Sequence, residues 1–295
     1  MSCCFIILFL LISCQQRASQ PLALEEVAAS PKLWTGVSVS QQGRIFVNYP
    51  RWSPDVDISV AELVSADSAI PYPNINWNTF SPEFSPKNSF VCVQSVYIDK
   101  NDFLWILDPA NPFFQGVVPG GAKLLKVDLE SDQVIREYYF DEDIAPQGSY
   151  LNDVRVDTNK EIAYITDSGL GAIIVLDLQS GESRRLLSNH PSTKAEDITL
   201  TIEGQQLKLS VHSDGLALTP DNRYLYYQAL SGRNLYRIRT DILNDWEISE
   251  EKLAEEVERV TESGASDAIE FDNHGNLYFT SIEWNAIRKL TPDGN

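Results

Sequence analysis

A pattern of an apolar strand, a polar turn and a second, aromatic strand recurs five times along this chain of 295 residues. The starts of the copies lie 53 to 62 residues apart, a nearly constant period that is typical of a repeat architecture. Apolar residues alternate with other residues in each first strand, and the following turn is rich in Asp, Asn and Gly, so each copy predicts a β-hairpin. The five copies begin at Thr35, Gln94, Asn152, Asp214 and Asp267.

Further strands follow the hairpin, such as "AKLLKVDLES" and "VIREYYF" after the second copy. Four antiparallel strands in a unit of about 50 residues make a propeller blade. The fifth copy has only about half the length of the others before Asn295, and a closed ring needs every blade to have a neighbour. The sequence therefore predicts an all-β, six-bladed propeller of four-stranded blades over residues 33–295, truncated within the fifth blade.

Two segments depart from the strand pattern. "ISEEKLAEEVERV" predicts a helix capped by Ser249, with Leu253, Val257 and Val260 on one face, inserted between blades four and five. Residues 65–88 are rich in proline and predict a long loop over one face.

The N-terminus, "MSCCFIILFLLISCQQRASQ", contains an apolar run that is too short to span a bilayer but has the length of a signal-peptide core. We expect a signal at residues 1–14 and a linker at 15–32. "LLISC" is similar to a bacterial lipoprotein signal, which predicts lipidation of Cys14 and a cell-envelope location. Ordinary secretion is the alternative, because no Lys or Arg precedes the apolar run.

The net charge of −19, from 23 basic and 42 acidic residues, argues against a nucleic-acid partner and favours a cationic one. Cys92 is the one cysteine outside the signal, so no internal disulfide is expected. We expect a monomer that meets a membrane only through a lipid on Cys14. The chain has no G-x-S-x-G, H-E-x-x-H, paired C-x-x-C or phosphate-binding glycine loop.

The polar first residues of the five copies predict a site, because inner strands of a propeller bring their starts to one mouth of the channel. The second strand of each hairpin ends at the same mouth, which adds Asp108 and Asp167. His212 lies on the same side of its strand as Asp214. The predicted ligand-binding residues are Thr35, Gln94, Asp108, Asn152, Asp167, His212, Asp214 and Asp267.

The stretches "PYPNINWN", "SVYIDKNDFLWILDPANP", "LNDVRVD" and "SDGLALTPDNRYLYYQALSG" resemble the major royal jelly protein and Yellow family, in its bacterial branch. The resemblance runs from about Leu33 to the end and implies a six-bladed propeller. Insect members include proteins linked to dopachrome conversion, binders of small amines and nutritional proteins. The chain lacks the paired cysteines of those members, so the resemblance implies export but no particular role.

More distantly, the chain is similar to gluconolactonase-like propellers, whose metal is held at the channel mouth. Asn152 and Asp214 match two of their ligands, but Thr35 stands where they carry a Glu. This resemblance implies one divalent cation, Ca²⁺ foremost, held by Asn152, Asp214 and Asp267, with Asp267 supplying the missing charge.

Two functions follow. The first is binding of a small cationic or aromatic molecule at the acidic mouth of the channel. The alternative is a metal-dependent enzyme, either a lactone hydrolase or one of the dopachrome-conversion type. The missing carboxylate at Thr35 lowers the charge available to a metal and favours binding.

Overall fold

The structure, a computed structural model, describes residues 25–294. Its main feature is a series of five antiparallel sheets, in each of which strands adjacent in sequence are adjacent in space. This order is what consecutive hairpins produce, because each short polar turn returns the chain beside the strand it has just left. The predicted signal over residues 1–14 and Cys14 lie outside the described residues.

Blades one and two have four strands each, joined by short turns and two longer loops. The loop before blade two contains helix α1 (Ile75–Asn78), which is capped by Asn74, and the 3-10 turn Pro86–Asn88. Blade one comprises β1 (Gly36–Val39), β2 (Ile45–Asn48), β3 (Val60–Ser65) and β4 (Ser68–Pro71), and blade two comprises β5 (Ser95–Ile98), β6 (Phe103–Asp108), β7 (Lys123–Asp128) and β8 (Gln133–Tyr139).

Blades three and four also have four strands each. Blade three comprises β9 (Leu151–Asp157), β10 (Ile162–Asp167), β11 (Ala172–Asp177) and β12 (Ser183–Leu186). A separate hairpin of β13 (Leu200–Ile202) and β14 (Gln205–Leu207) follows. Blade four comprises β15 (Ser213–Leu218), β16 (Tyr224–Ala229), β17 (Asn234–Arg239) and β18 (Glu258–Glu262), with helices α2 (Thr240–Leu243) and α3 (Glu250–Glu255) between its last two strands.

Blade five has three strands in the part of the chain that is described: β19 (Ser266–Phe271), β20 (Leu277–Ser281) and β21 (Ala286–Leu290). The prediction of a propeller is confirmed, but residues 25–294 form five blades where the sequence analysis predicted a ring of six. The physical reason is that each hairpin copy nucleates one blade, and the sequence contains five copies. The inner strands begin within one residue of the predicted positions.

The core lies between neighbouring blades. The inner strands pack in the series β1, β5, β9, β15 and β19. Alternate residues of each strand face opposite neighbours, so Trp105 and Leu107 of blade two pack against Val154 and Ile165 of blade three. In blade one, by contrast, Val37 of β1 is 67% exposed.

Two local predictions were wrong. The helix begins after the predicted cap, with Ser249 Oγ accepting from Lys252 N, but it ends at Glu255. Val260 lies instead in β18, because pairing with β17 completes blade four, and the helix is an insertion within that blade. The predicted loop of residues 65–88 contains β4 and α1. The longest helix among residues 25–294 has six residues, so none of the described helices is long and apolar enough to cross a bilayer.

Candidate functional site

Three inner strands carry a β-bulge at the same point, where each enters the mouth of the channel. A bulge places two residues opposite one residue of the partner strand and redirects their side chains. Both members of such a pair can therefore face the channel axis. The pairs are Asn152 and Asp153 opposite Thr166, Asp214 and Gly215 opposite Gln228, and Asp267 and Ala268 opposite Thr280.

All of these bulged residues except Gly215 line a cavity of about 320 Å³ at this mouth. The volume falls in the range of small-molecule sites. The cavity contains all five residues of the predicted ring, since Thr35 and Gln94 of the first two blades complete it. The structure thus brings together Thr35, Gln94, Asn152, Asp214 and Asp267.

Asp214 is the most unusual member of the cavity. It is only 4% exposed, and its carboxylate has no hydrogen-bond or ion-pair partner among residues 25–294. Burial, and then the negative charges of Asp267 and Asp153, raise the pKa of Asp214 well above its usual range. A buried carboxylate that lacks a partner is costly unless a proton or a cation compensates it.

Two further carboxylates contribute to the negative potential. Asp267 is exposed, yet desolvation by the surrounding protein and the charge of Asp153 raise its pKa to about 6. Burial also raises the pKa of Asp153, although Arg155 and a hydrogen bond from Ser95 Oγ at 3.1 Å oppose this. Asp267 therefore meets solvent at the edge of the cavity, whereas Asp214 is deeply placed.

One wall of the cavity is aromatic. Phe114 lies between Trp52 and Tyr150, with ring centroids 5.5 Å and 5.2 Å away. Phe113 and Phe114 both have a positive φ, 58° and 56°, which bulky residues rarely adopt. Phe114 is nevertheless 63% exposed, and it lines the same cavity as the carboxylates.

A chain of hydrogen bonds links the aromatic wall to the polar ring. Trp52 Nε1 donates to the Tyr150 hydroxyl at 2.6 Å, and that hydroxyl donates to Gln94 Oε1 at 3.0 Å. Gln94 Nε2 donates to Asn152 Oδ1 at 3.4 Å, and Asn152 Nδ2 donates to Ser168 Oγ at 2.9 Å. This chain fixes the amide orientations, and it includes neither Asp214 nor Asp267.

Asp108 and Asp167, predicted for the ring, do not line this cavity. Asp108 is fully buried, accepts from Val91 N and Cys92 N, and pairs with Lys123 Nζ at 2.9 Å. Asp167 accepts from the backbone N–H of Tyr150, Gly169 and Leu170 and pairs with Arg185. Both side chains turn back at the end of their strands and accept hydrogen bonds from backbone N–H groups, which is the local capping that Asp favours.

His212 also lies outside the cavity lining. Its Nδ1 accepts from Ala195 N at 2.8 Å, and burial followed by the charge of Lys194 lowers its pKa. The half-buried imidazole ring therefore stabilises the loop that contains Ala195. Cys92 is buried, which raises the pKa of its thiol to about 12, so it is not a nucleophile at neutral pH.

Sequence reasoning missed Asp153 and the aromatic wall. Strict strand alternation would point Asp153 away from Asn152, and no signal in the sequence located the bulge. Trp52 and Phe114 lie in loops of different blades and meet through tertiary packing. Among residues 25–294 no group of three or more His, Cys, Asp or Glu side chains is arranged to hold a metal. The proposed set of Asn152, Asp214 and Asp267 stays a prediction.

The comparisons with known proteins agree with the fold. Major royal jelly protein 7 of Apis mellifera is 29% identical over 195 residues, covering 62% of this chain and 42% of the relative. Major royal jelly protein 5 of the same organism is 27% identical over 215 residues, covering 68% and 34%. The chain thus spans less than half the length of these relatives.

A structure of Kuenenia stuttgartiensis hydrazine synthase superposes with a TM-score of 0.57 at 11% identity, covering 88% of this chain and 72% of that one. This likeness concerns the fold alone. A sequence profile of the major royal jelly protein family matches residues 91–293, well over half of the chain. The chain belongs to the major royal jelly protein family.

Proposed function

We propose that this protein binds a small organic cation with an aromatic ring at the mouth of its channel. The observation that carries the proposal is Asp214, a buried carboxylate that faces the cavity without a partner. A protonated amine would supply the missing partner. Its positive charge would also reduce the repulsion of Asp214 by Asp153 and Asp267, which raises the carboxyl pKa values.

The aromatic wall supports the second part of the proposal. The exposed side chain of Phe114 lines the same cavity as the acidic group, and aromatic rings prefer offset or edge-to-face contacts with other rings. Tyr150 and Trp52 contact Phe114 and help to fix the position of its ring. The ligand ring would thus stack on Phe114 while the ammonium group reaches Asp214.

The first experiment is a calorimetric titration with phenethylamine, which joins a primary amine to an aromatic ring. The second is thermal unfolding with phenethylamine and with ethylbenzene, which has the ring but no amine. We expect phenethylamine to bind and to raise the melting temperature, because a ligand of the folded state stabilises it by mass action. Asp214→Asn removes the charge with little change of shape. It should weaken binding at least about tenfold, the equivalent of about 1.4 kcal/mol.

The matched control is Glu142→Gln, which removes one negative charge at an exposed position away from the cavity. It should leave the affinity unchanged. If Glu142→Gln and Asp214→Asn weaken binding equally, the effect comes from net charge and the proposed site is wrong.

The metal-dependent enzyme remains the second candidate, either a lactone hydrolase or one of the dopachrome-conversion type. It is favoured by the convergence of Asn152, Asp214 and Asp267 on one cavity. Metal analysis of the purified protein, followed by a panel of lactones with Ca²⁺ and with chelator, separates it from simple binding. Turnover that the chelator abolishes would support this candidate over the first.

We also propose that the protein is exported. It is either lipidated on Cys14 and held in the cell envelope or, as the alternative, secreted. The support is the apolar run before "SCQQ" in the sequence. Detergent partition of the full-length protein and of Cys14→Ala tests the two routes. Lipidation predicts that the wild type enters the detergent phase and Cys14→Ala does not, whereas two aqueous proteins would indicate secretion.

A further inference from the structure

A second cavity of about 320 Å³ lies between blades two and three, on the opposite side of the sheets from the channel mouth. It is bordered by the turns that end β5, β9 and β11 and by the outer strands β7 and β8. None of its lining residues lines the first cavity. It is therefore a separate candidate site.

Two cations stand side by side in this groove. Lys126 of β7 is directly opposite Arg136 of β8 in the antiparallel register. Like charges at directly opposed positions destabilise a sheet. Acidic residues outnumber basic ones in this chain by 42 to 23, so a pair of two cations is unusual for its composition.

Neither cation has a carboxylate within ion-pair distance among residues 25–294. The Lys126 ammonium lies 3.9 Å from the ring centroid of Phe103 and 5.3 Å from that of Trp105. The Arg136 guanidinium lies 5.7 Å from the ring centroid of Tyr138, and its Nη2 donates to Gln179 O at 3.3 Å. The direct contacts of the two groups are therefore aromatic faces and one carbonyl, none of which carries a full negative charge.

The two acids of the groove are already engaged. Asp99 accepts from Asn101 N, Phe103 N and the indole Nε1 of Trp105. Glu161 accepts a hydrogen bond from the side-chain amide of Gln179. The groove thus presents two cations together with Asp99, both of whose carboxylate oxygens accept hydrogen bonds, and Glu161, one of whose oxygens does.

We propose that this groove binds a small organic carboxylate. The planar guanidinium of Arg136 matches a carboxylate in a two-pronged geometry, and the ammonium of Lys126 adds a point charge. The apolar side chains of Ile135, Val156 and Leu178 line the same cavity and would contact the body of the ligand. The proposal is independent of the site at the channel mouth.

The test is a calorimetric titration of the whole protein with phenylacetate, which joins a carboxylate to an apolar ring. Methyl phenylacetate, its neutral ester, is the ligand control. We expect phenylacetate to bind and the ester not to bind. Lys126→Gln and Arg136→Gln should each weaken binding about tenfold or more, as expected when one of two charge contacts is lost.

The matched protein control is Lys289→Gln. Lys289 of β21 is paired with an aromatic residue, Tyr278 of β20, just as Lys126 is paired with Trp105. Lys289 lies outside the groove. This variant and Asp214→Asn should bind phenylacetate like the wild type. Circular dichroism and the melting temperature without ligand show whether each variant is folded.

Three results would overturn the proposal. One is no heat of binding for phenylacetate at about 10 mM, where a millimolar dissociation constant would be seen. Another is equal binding of the ester, which would show an apolar contact without anion recognition. The third is binding that Lys126→Gln and Arg136→Gln leave unchanged, which would place the ligand elsewhere.

Discussion

Gly215 packs so closely on the backbone of Asp267 that a Cβ atom at position 215 would lie 2.8 Å from the carbonyl oxygen of Asp267. This contact brings the inner strands of blades four and five together at their bulges. Burial is the main cause of the raised pKa of Asp214, and this contact places the carboxyl group of Asp267 close enough to raise that pKa further.

Gly215→Ala should accordingly push these two strands apart. The obstacle is backbone, with Ala268 Cα and Ile269 N both at 3.2 Å, and cannot move like a side-chain end. We expect a loss of about 1–3 kcal/mol in the free energy of unfolding, measured with urea. Gly148→Ala is the control, because its new Cβ would meet only the end of the Leu170 side chain, at 3.0 Å. Equal losses would argue against close packing at Gly215.

The acidic group predicts a pH dependence of stability. The pKa of Asp267 is about 6 in the folded protein and the pKa of Asp214 is also raised, whereas an unfolded Asp has a pKa of about 3.9. The folded state thus binds these protons more tightly, and their contribution to stability is lost as the pH rises from about 4 through about 6 and beyond.

Asp214→Asn replaces one of these titrating carboxyl groups with an amide that does not titrate. Its free energy of unfolding minus that of the wild type should therefore increase with pH, by at most about 1.4 kcal/mol per pH unit for one carboxyl group. Urea unfolding of both proteins from pH 4.5 to 7.5, without ligand, measures this difference. A difference that stays flat would show that Asp214 has an ordinary pKa.

The sequence predicted the blades well because each hairpin is a local structure. Alternating apolar residues and a turn rich in Asp, Asn and Gly are sufficient to form it, and the start of β9 beside Asn152 was located within one residue. The helix was partly wrong because the residues on either side of Val260 pair with β17, which outweighs the helical pattern there. Strand pairing is a tertiary effect that local periodicity does not report.

The candidate site was predicted in part. The ring residues could be found because they repeat, and the structure places them in one cavity. Asp153 required the bulge opposite Thr166, and Phe114 required an unusual backbone conformation in a loop. Asp108 was placed at the mouth from strand direction alone, but its side chain turns toward backbone amides. The direction in which such a side chain points depends on neighbours that are distant in sequence.

Phe114 offers a test of the aromatic wall. Phe114→Leu keeps much of the volume but removes the aromatic face, and the residue is 63% exposed, so stability should change by less than about 0.5 kcal/mol. The affinity for phenethylamine should fall about threefold to tenfold, the worth of one aromatic contact. Calorimetry with cyclohexylethylamine, which has the same charge without a planar ring, provides the comparison. An equal loss for both amines would indicate lost volume and contradict a role for stacking.

The buried pair of Asp108 and Lys123 predicts a structural effect without a binding effect. Both side chains are 0% exposed, and the Lys123 ammonium also donates to Pro86 O and Gly121 O. Asp108→Asn would leave the buried ammonium without its counter-charge, so we expect a loss of about 3–5 kcal/mol in the free energy of unfolding. The exposed pair of Lys32 and Asp57 is the control, and Asp57→Asn should cost less than about 1 kcal/mol.

Phenethylamine binding distinguishes this structural role from the ligand-binding role predicted for Asp108 from the sequence. At a temperature where Asp108→Asn is still folded, the variant should bind the amine with the affinity of the wild type, because Asp108 does not line the channel cavity. A stable Asp108→Asn protein with weakened binding would reverse the assignment. It would mean that this carboxylate acts on the ligand and that Lys123 tolerates burial through its two carbonyl contacts alone.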